Sequence, residues 1–587
     1  MPEDYEKVLR DLAPRIKWME CSSSQCKLSD FDSRKGIVAV PGDYDHPDKT
    51  FDLTFQRFTR NTKPPMRHVI VLAGGPGESG RSVEDKVKTI LNGLADHPIA
   101  CYTVDHRGLG ESGPFLAGKK YKDVRNSFES FFSNTPFPVK NLRTHDAALD
   151  VGMLAMAIQN EGDFPAQSTL HLIGGSYGAT WANQVISLMP NLFNSVYLSA
   201  MPRLRNTIVG SGIGIAENCS LDDECRKRIG GKVSEEYRIA IKNVAKYTTN
   251  ECTKALGDCI PKYKETDDAG RLTLLAVSFE DLMNNSFFLG EDNKASQLLL
   301  PFIKATSDCT DVAGYKRDVI GVMKKHMKLS VDQSSLDESQ EKSLGKHSKL
   351  DKMVNSVGFI DLLFYNGPPN LHPPGNDDLF DDLAVPYSYL RLYNELKPHL
   401  ANMKFTEHHP LTSTKTRVWL EMGRMDLITD YVQAWDTFEK INAPEKAWIL
   451  INSQGHGFSD DTCLHTRLAE FLDIPAKGAG KKCVALVNSV YKLDWSFKNS
   501  PAYAKIWDYV KTSNKETLPI EKQLSAVPTY YHISGRVDGL ITGLGLVLTI
   551  IILTACATVL AAAVLGGIYF YRRNKRSNSP STTQVPA

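Results

Sequence analysis

Apolar residues follow two different rhythms along this chain, and the change between them divides it. In the first third, short β-rich runs alternate with stretches of helical spacing, the pattern of a mainly parallel sheet with crossover helices. Ile37 to Val40 and Phe51 to Phe58 read as early antiparallel strands. His68 to Ala73 and Ala100 to Val104 are near-continuous apolar runs, as strands covered on two faces require. Apolar positions recur at helical spacing from Asp146 to Gln159, and two further buried strands span Leu170 to Ile173 and Ser195 to Leu198.

From about Arg205 to His409 no strand series occurs. The segment is helix-like, broken by a charged stretch from Lys324 to Lys352 that reads as a solvated loop. The strand and helix rhythm resumes with Arg417 to Met422, a helix near Tyr431 to Lys440, and Ala447 to Ile451. The predicted organisation is one sheet domain in two parts, 1–204 and 410–514, around a helical insertion at 205–409. A stalk at 515–539 follows, then a membrane helix at 540–571 and a short basic tail at 572–587.

The membrane assignment rests on charge. No Asp, Glu, Lys or Arg occurs from Leu540 to Tyr571, and about 20 apolar residues suffice to cross a bilayer core. Arg572, Arg573, Lys575 and Arg576 follow at once, which predicts a cytoplasmic tail and a sheet domain facing outward or into a lumen. Met1 to Glu20 lacks the apolar core of a secretory signal. Three arrangements fit: a start further upstream, a signal already removed, or insertion by the tail, which would leave the sheet domain in the cytosol.

Composition changes this picture little. The 587 residues are 42% hydrophobic and 23% charged with a formal net charge of +1. No basic face for nucleic acid is implied. Of eleven cysteines, Cys556 lies in the membrane segment. Cys21 and Cys26, Cys219 and Cys225, Cys252 and Cys259, and Cys463 and Cys483 fall in near pairs, as in an oxidised, extracytoplasmic framework.

Candidate chemistry sits at strand ends. Leu170 to Ile173 runs into Gly174-x-Ser176-x-Gly178, ahead of a helix at Ala179 to Ser187. A sharp strand-to-helix turn lifts a serine hydroxyl clear of the sheet and needs small neighbours. Such a serine needs a base, usually a His oriented by a carboxylate, and in this architecture acid and base follow in the order Ser, Asp, His. Asp426 lies four residues past the Arg417 to Met422 strand, with Asp430 as a rival near the next helix start. His456 follows the next strand between Gly455 and Gly457, and His465 is the weaker rival. The backbone N–H groups of Tyr177 and Gly75 are the candidate oxyanion donors, Gly75 lying in Gly74-Gly75-Pro76-Gly77 where Pro76 has no N–H. The expected fold is therefore the α/β-hydrolase fold with a large helical cap.

Taken together, Gly74-Gly75-Pro76-Gly77, Asp105-x-Arg107-Gly108-x-Gly110-x-Ser112, Gly174-Gly175-Ser176-Tyr177-Gly178, Asp426 and His456 resemble the proline iminopeptidase and tripeptidyl aminopeptidase family of serine peptidases. Trp18-x-x-Cys21, Val40-Pro41-x-Asp43-Tyr44 and the Cys463 and Cys483 pair lean towards the tripeptidyl branch, while Ala73 stands where the family more usually has His. The resemblance implies hydrolysis of peptides from a free N-terminus, with the cap limiting access. Two alternatives remain: an esterase, lipase or amidase on the same triad, and a membrane-displayed binding protein on a hydrolase scaffold. The expected partners are a peptide or small acyl substrate and the membrane, with no nucleic acid. No metal or cofactor motif stands out, and the chemistry requires neither.

Overall fold

The computed structural model describes most of residues 5–112, 139–202, 294–321 and 406–474, with shorter stretches at 223–230, 251–257 and 530–534 and a few single positions between. The chain forms two compact units, 1–531 and 532–587. The first holds β1 (Ile16–Met19), β2 (Asp32–Pro41), β3 (Thr50–Thr59), β4 (Arg67–Leu72), β5 (Ile99–Val104), β6 (Thr169–Gly175), β7 (Ser195–Ser199), β8 (Arg417–Gly423) and β9 (Glu445–Ile451). With β10 (Tyr530–Ser534), which begins in this unit, the sheet order is β1-β2-β3-β5-β4-β6-β7-β8-β9-β10. Strands β1, β2, β3 and β5 pair antiparallel, and β5, β4, β6, β7, β8 and β9 pair parallel.

Helices cover both faces. The covering helices are α1 (Tyr5–Asp11), α2 (Glu84–Gly93), α3 (Thr144–Gln159), α4 (Tyr177–Leu188), α8 (Tyr431–Lys440) and α9 (Leu464–Phe471), and α5 (Asp223–Ile229), α6 (Glu251–Gly257) and α7 (Lys294–Ser307) belong to the chain between β7 and β8. On β4, Ile70 and Leu72 pack with α1, α3, α4 and α8, whereas Val69 and Val71 pack with α2 and α9. Side chains alternate across a strand, so a strand covered twice must be apolar at consecutive positions. That is why β4 reads as an unbroken hydrophobic run, and all four of these residues are fully buried.

The insertion leaves the sheet after β7 and returns at β8, and these two strands are parallel neighbours, Ser195 opposite Arg417. The described residues of the insertion include α5, α6, α7 and a further helical stretch at 312–320, with no strand among them. The predicted stalk contributes β10. Strand β1 and helices α1 and α2 were not anticipated, because β1 is four residues long and alternates only weakly in burial. The predicted membrane helix and the charged loop at 324–352 lie outside the described residues; among the described residues, no helix is long and apolar enough to cross a membrane.

One bridge joins cysteines that are not near neighbours in sequence. Cys252 is bonded to Cys309 and not to its near neighbour Cys259, so the bridge ties α6 to the chain just after α7. Cys225 is also disulfide-bonded. Cys101 on β5 is a free thiol, fully buried, and burial pushes its pKa well up, which keeps it inert.

Candidate active site

Strand β6 ends at Gly175 and α4 begins at Tyr177, with Ser176 between them at φ 55° and ψ −128°. A non-glycine residue in this region is strained and must be held by its surroundings. Ser176 N–H donates to Ser199 O on β7 at 2.9 Å. The flanking glycines follow from crowding. A Cβ on Gly174 would lie 2.1 Å from Gly178 O, and one on Gly178 would lie 2.7 Å from Ala73 O.

The structure brings the three predicted residues into one hydrogen-bonded line. His456 Nε2 is 2.9 Å from Ser176 Oγ, and His456 Nδ1 is 2.9 Å from Asp426 Oδ2 and 3.1 Å from Oδ1. Asp426 is fully buried, while the His456 side chain is 26% exposed, so the acid is shielded and the base can meet a substrate. Burial of the imidazole lowers its pKa, but the Asp426 charge, its hydrogen bond and the charge of Glu78 outweigh this and raise it. Ser199 Oγ donates to Gly457 O at 3.1 Å, so β7 supports the serine turn and the histidine loop together.

Thr429 completes the acid. It binds both oxygens of Asp426 and was missed in the sequence, where Asp-x-x-Thr carried the signal of a local side-chain turn. Asp430, the rival acid, lies outside the described residues. His465, the rival base, sits on α9 against Gly93 of α2.

The Gly74 to Gly77 loop lies against the serine turn. A Cβ on Gly74 would be 3.2 Å from Gly175 O and 3.4 Å from Ser176 Cβ, and Gly75 has φ 102°, a value that favours glycine. Tyr177 is the first residue of α4, so its N–H has no acceptor within the helix. Its side chain is fixed below. The hydroxyl is 3.2 Å from His106 Nε2 and 3.0 Å from Thr144 Oγ1. Burial holds His106 at a pKa of about 4 despite its contact with Arg107 O at 2.8 Å, so Nδ1–H donates to that carbonyl and Nε2 is left to accept from Tyr177.

The Asp105-to-Ser112 run is scaffolding around this loop. Asp105 accepts from Gly80 N at 2.7 Å and from Glu111 N at 2.9 Å. Ser112 Oγ accepts from Thr54 N at 2.8 Å. Arg107 is fully buried and paired with Asp150 at 2.5 Å, and it also donates to the carbonyls of Pro41, Gly42 and Asn141. Tyr44 donates to the same Asp150 at 2.7 Å. The Val40-to-Tyr44 and Asp105-to-Ser112 motifs are thus two halves of one buried junction.

A second buried carboxylate fastens the insertion. Asp361 accepts from Thr144 N, Thr406 N and Thr406 Oγ1, each at 2.7 Å, and this ties chain from inside the insertion to the start of α3 beneath Tyr177. His408 is buried and held by that burial at a pKa of about 4, whereas His409 is exposed. Among the described residues, no group of three or more His, Cys, Asp or Glu could hold a metal ion.

The sequence matches no family model and no curated protein. Among solved structures, a peroxisomal α/β-hydrolase from Saccharomyces cerevisiae is similar over 81% of this chain and 99% of its own, at 13% identity and a TM-score of 0.33. An acetyl xylan esterase from Thermoanaerobacterium sp. matches 81% and 95%, at 10% identity and 0.31. An esterase from Exiguobacterium antarcticum matches 75% and 97%, at 11% identity and 0.27. The chain's own mostly parallel sheet, with helices on both faces and a serine turn after β6, has the architecture of the α/β-hydrolase fold.

Proposed function

We propose that this chain is a serine hydrolase that removes residues or short peptides from the free N-terminus of peptides. The observation that carries the hydrolase reading is the Asp426, His456 and Ser176 line, with Ser176 held at positive φ. Ser176 Oγ attacks the carbonyl carbon while its proton passes to His456 Nε2. Asp426 keeps Nδ1 protonated and stabilises the imidazolium. His456 then gives the proton to the leaving amine, and water, deprotonated by the same imidazole, releases the acyl group. The N–H groups of Tyr177 and Gly75 would receive the oxyanion.

The aminopeptidase half of the proposal is supported by the resemblance of the loop, turn and triad motifs to the proline iminopeptidase and tripeptidyl aminopeptidase family. Anchoring by 540–571, with the catalytic unit extracellular or luminal, is part of the same proposal. It is supported by the uncharged segment, by the basic residues after it and by the Cys252 and Cys309 bridge.

The test uses the full chain in membranes, an organophosphorus serine probe, and matched peptides with free and acetylated N-termini. Ser176→Ala abolishing both labelling and turnover is the expected result, and labelling that persists would refute the nucleophile. Turnover of the free-amine series only would establish an aminopeptidase. Turnover of short esters alone would move the function to an esterase.

A further inference from the structure

The insertion reaches the serine turn through an unbroken line of buried hydrogen bonds. Asp361, from inside the insertion, accepts from Thr144 N–H at 2.7 Å, and Thr144 Oγ1 lies 3.0 Å from the Tyr177 hydroxyl. Tyr177 directly follows Ser176, and its N–H is one of the proposed oxyanion donors. Asp361, Thr144 and Tyr177 are all buried.

The direction of each bond follows from its neighbours. Burial keeps His106 neutral and its Nδ1–H is committed to Arg107 O, so Nε2 accepts from the Tyr177 hydroxyl at 3.2 Å. A hydroxyl has one proton to give. Tyr177 can therefore only accept from Thr144, and Thr144 Oγ1–H donates to it. The pKa of the phenol agrees: burial raises it, the hydrogen bond from Thr144 lowers it, and the charge of Asp361 raises it again. Thr144 thus gives its N–H to the insertion and its hydroxyl to the serine turn.

The far end of the line is equally fixed. Asp361 also accepts from Thr406 N–H and Thr406 Oγ1–H at 2.7 Å each, and Thr406 Oγ1 accepts from His145 N–H at 3.0 Å. The first amides of α3 have no acceptor within their own helix, and the side chain of Arg143 at the helix cap makes no capping hydrogen bond. Residues of the insertion fill that role. On its own this capping would make Asp361 a stability element. The Thr144 hydroxyl extends its reach, because it converts the placement of the first residue of α3 into the placement of the Tyr177 ring. Clamping that ring at its far end, between Thr144 and His106, restrains the residue whose N–H must be aimed at the oxyanion.

We propose that Asp361 and Thr144 are positioning residues for the oxyanion donor: docking of the insertion, through Asp361 and then Thr144, holds Tyr177 at the angle that hydrolysis requires. The proposal rests on the serine hydrolase reading above and adds that the insertion acts on the rate of the reaction as well as on access.

The experiment measures kcat and KM of the full chain on a short p-nitrophenyl ester, with Ser176→Ala as the blank. Acylation and deacylation both pass through an oxyanion, so kcat reports on it whichever step is slower. Thr144→Val keeps the shape and the N–H to Asp361 while removing the hydroxyl. It should lower kcat about 3- to 10-fold with KM little changed, the range for a neutral hydrogen bond. Thr144→Ser restores a hydroxyl and should recover most of that loss. Asp361→Asn should lower kcat at least as much as Thr144→Val. In a Tyr177→Phe background, which has no hydroxyl to hold, each of the two should cost less than about 2-fold. Thr144→Val leaves the Asp361 contacts in place, so it carries the test alone if Asp361→Asn does not fold. A normal kcat in Thr144→Val, a loss confined to KM, no recovery in Thr144→Ser, or losses that multiply in full with Tyr177→Phe overturn the proposal and leave Asp361 as a fastening of the insertion only. Absence of any Ser176-dependent ester turnover by wild type overturns the hydrolase reading itself.

Discussion

Thr429 holds the whole carboxylate of Asp426: its N–H donates to Oδ1 at 2.8 Å and its hydroxyl to Oδ2 at 2.5 Å. The same oxygens face His456 Nδ1, so the threonine sets the angle at which the acid meets the base. Thr429→Val keeps the shape and the N–H while removing the hydroxyl. Loss of a hydrogen bond to a charged group is worth about 1.5–3 kcal/mol, so kcat should fall roughly 10- to 100-fold with KM little changed. Steady-state kinetics on any turned-over substrate checks this.

Asp426→Asn should cost far more. The asparagine cannot hold the imidazole in the tautomer that accepts from Ser176, and losses near 10⁴ in kcat are typical of that change. Asp430→Asn should cost much less. A reversed order, measured side by side, would transfer the acid role to Asp430.

His456 must be neutral to take the serine proton, and its pKa lies above the ordinary 6.5 because Asp426 and Glu78 outweigh its burial. Activity should therefore be full above that raised value and be lost as pH falls through it. Glu78→Gln removes one of the raising charges, so the acid limb of the kcat/KM profile should move to lower pH. A limb that stays in place or moves up would count against the reach of Glu78 to the imidazole.

The Arg107 and Asp150 pair is a stability element. Both side chains are fully buried or nearly so, at 0% and 1% exposure. Asp150→Ala leaves an uncompensated guanidinium and should destabilise the fold by about 3–5 kcal/mol. The shift of a denaturant midpoint measures it, read against Asp146→Ala.

Much of the sheet was legible because a strand covered on two faces writes itself as consecutive apolar residues, as β4, β6 and β7 do. Ser176 was legible because crowding at its turn demands glycine at Gly174 and Gly178, and His456 because the next residue, Gly457, has φ 102°, a value that favours glycine. Other features were not, and the reason is separation in sequence. Thr144, Asp361 and Thr406 meet at one carboxylate from three distant points in the chain, and no local pattern marks such a meeting. Cys252 passes over Cys259 for Cys309 because helices choose their neighbours through packing. Arg107 and Asp150 carried a motif in one half only, so the sequence showed the arginine without its counterion.

The adjacency of β7 and β8 has a consequence for how such a chain can change. The strands lie about 5 Å apart and run parallel, Ser195 opposite Arg417 and Ser199 opposite Glu421, so some two hundred residues leave at one edge of the sheet and return at the other, one strand over. For the sheet, that whole segment is a single crossover. Doubling a loop's length adds only about 0.6 kcal/mol of closure entropy, and the register of the two strands is set by their own pairing. Descendants of this chain could therefore replace most of the segment and keep the sheet, provided that the replacement supplies an acceptor for Thr144 N where Asp361 now stands, which makes the junctions near Ser199 and Arg417 the natural sites for exchanging one insertion for another in the laboratory.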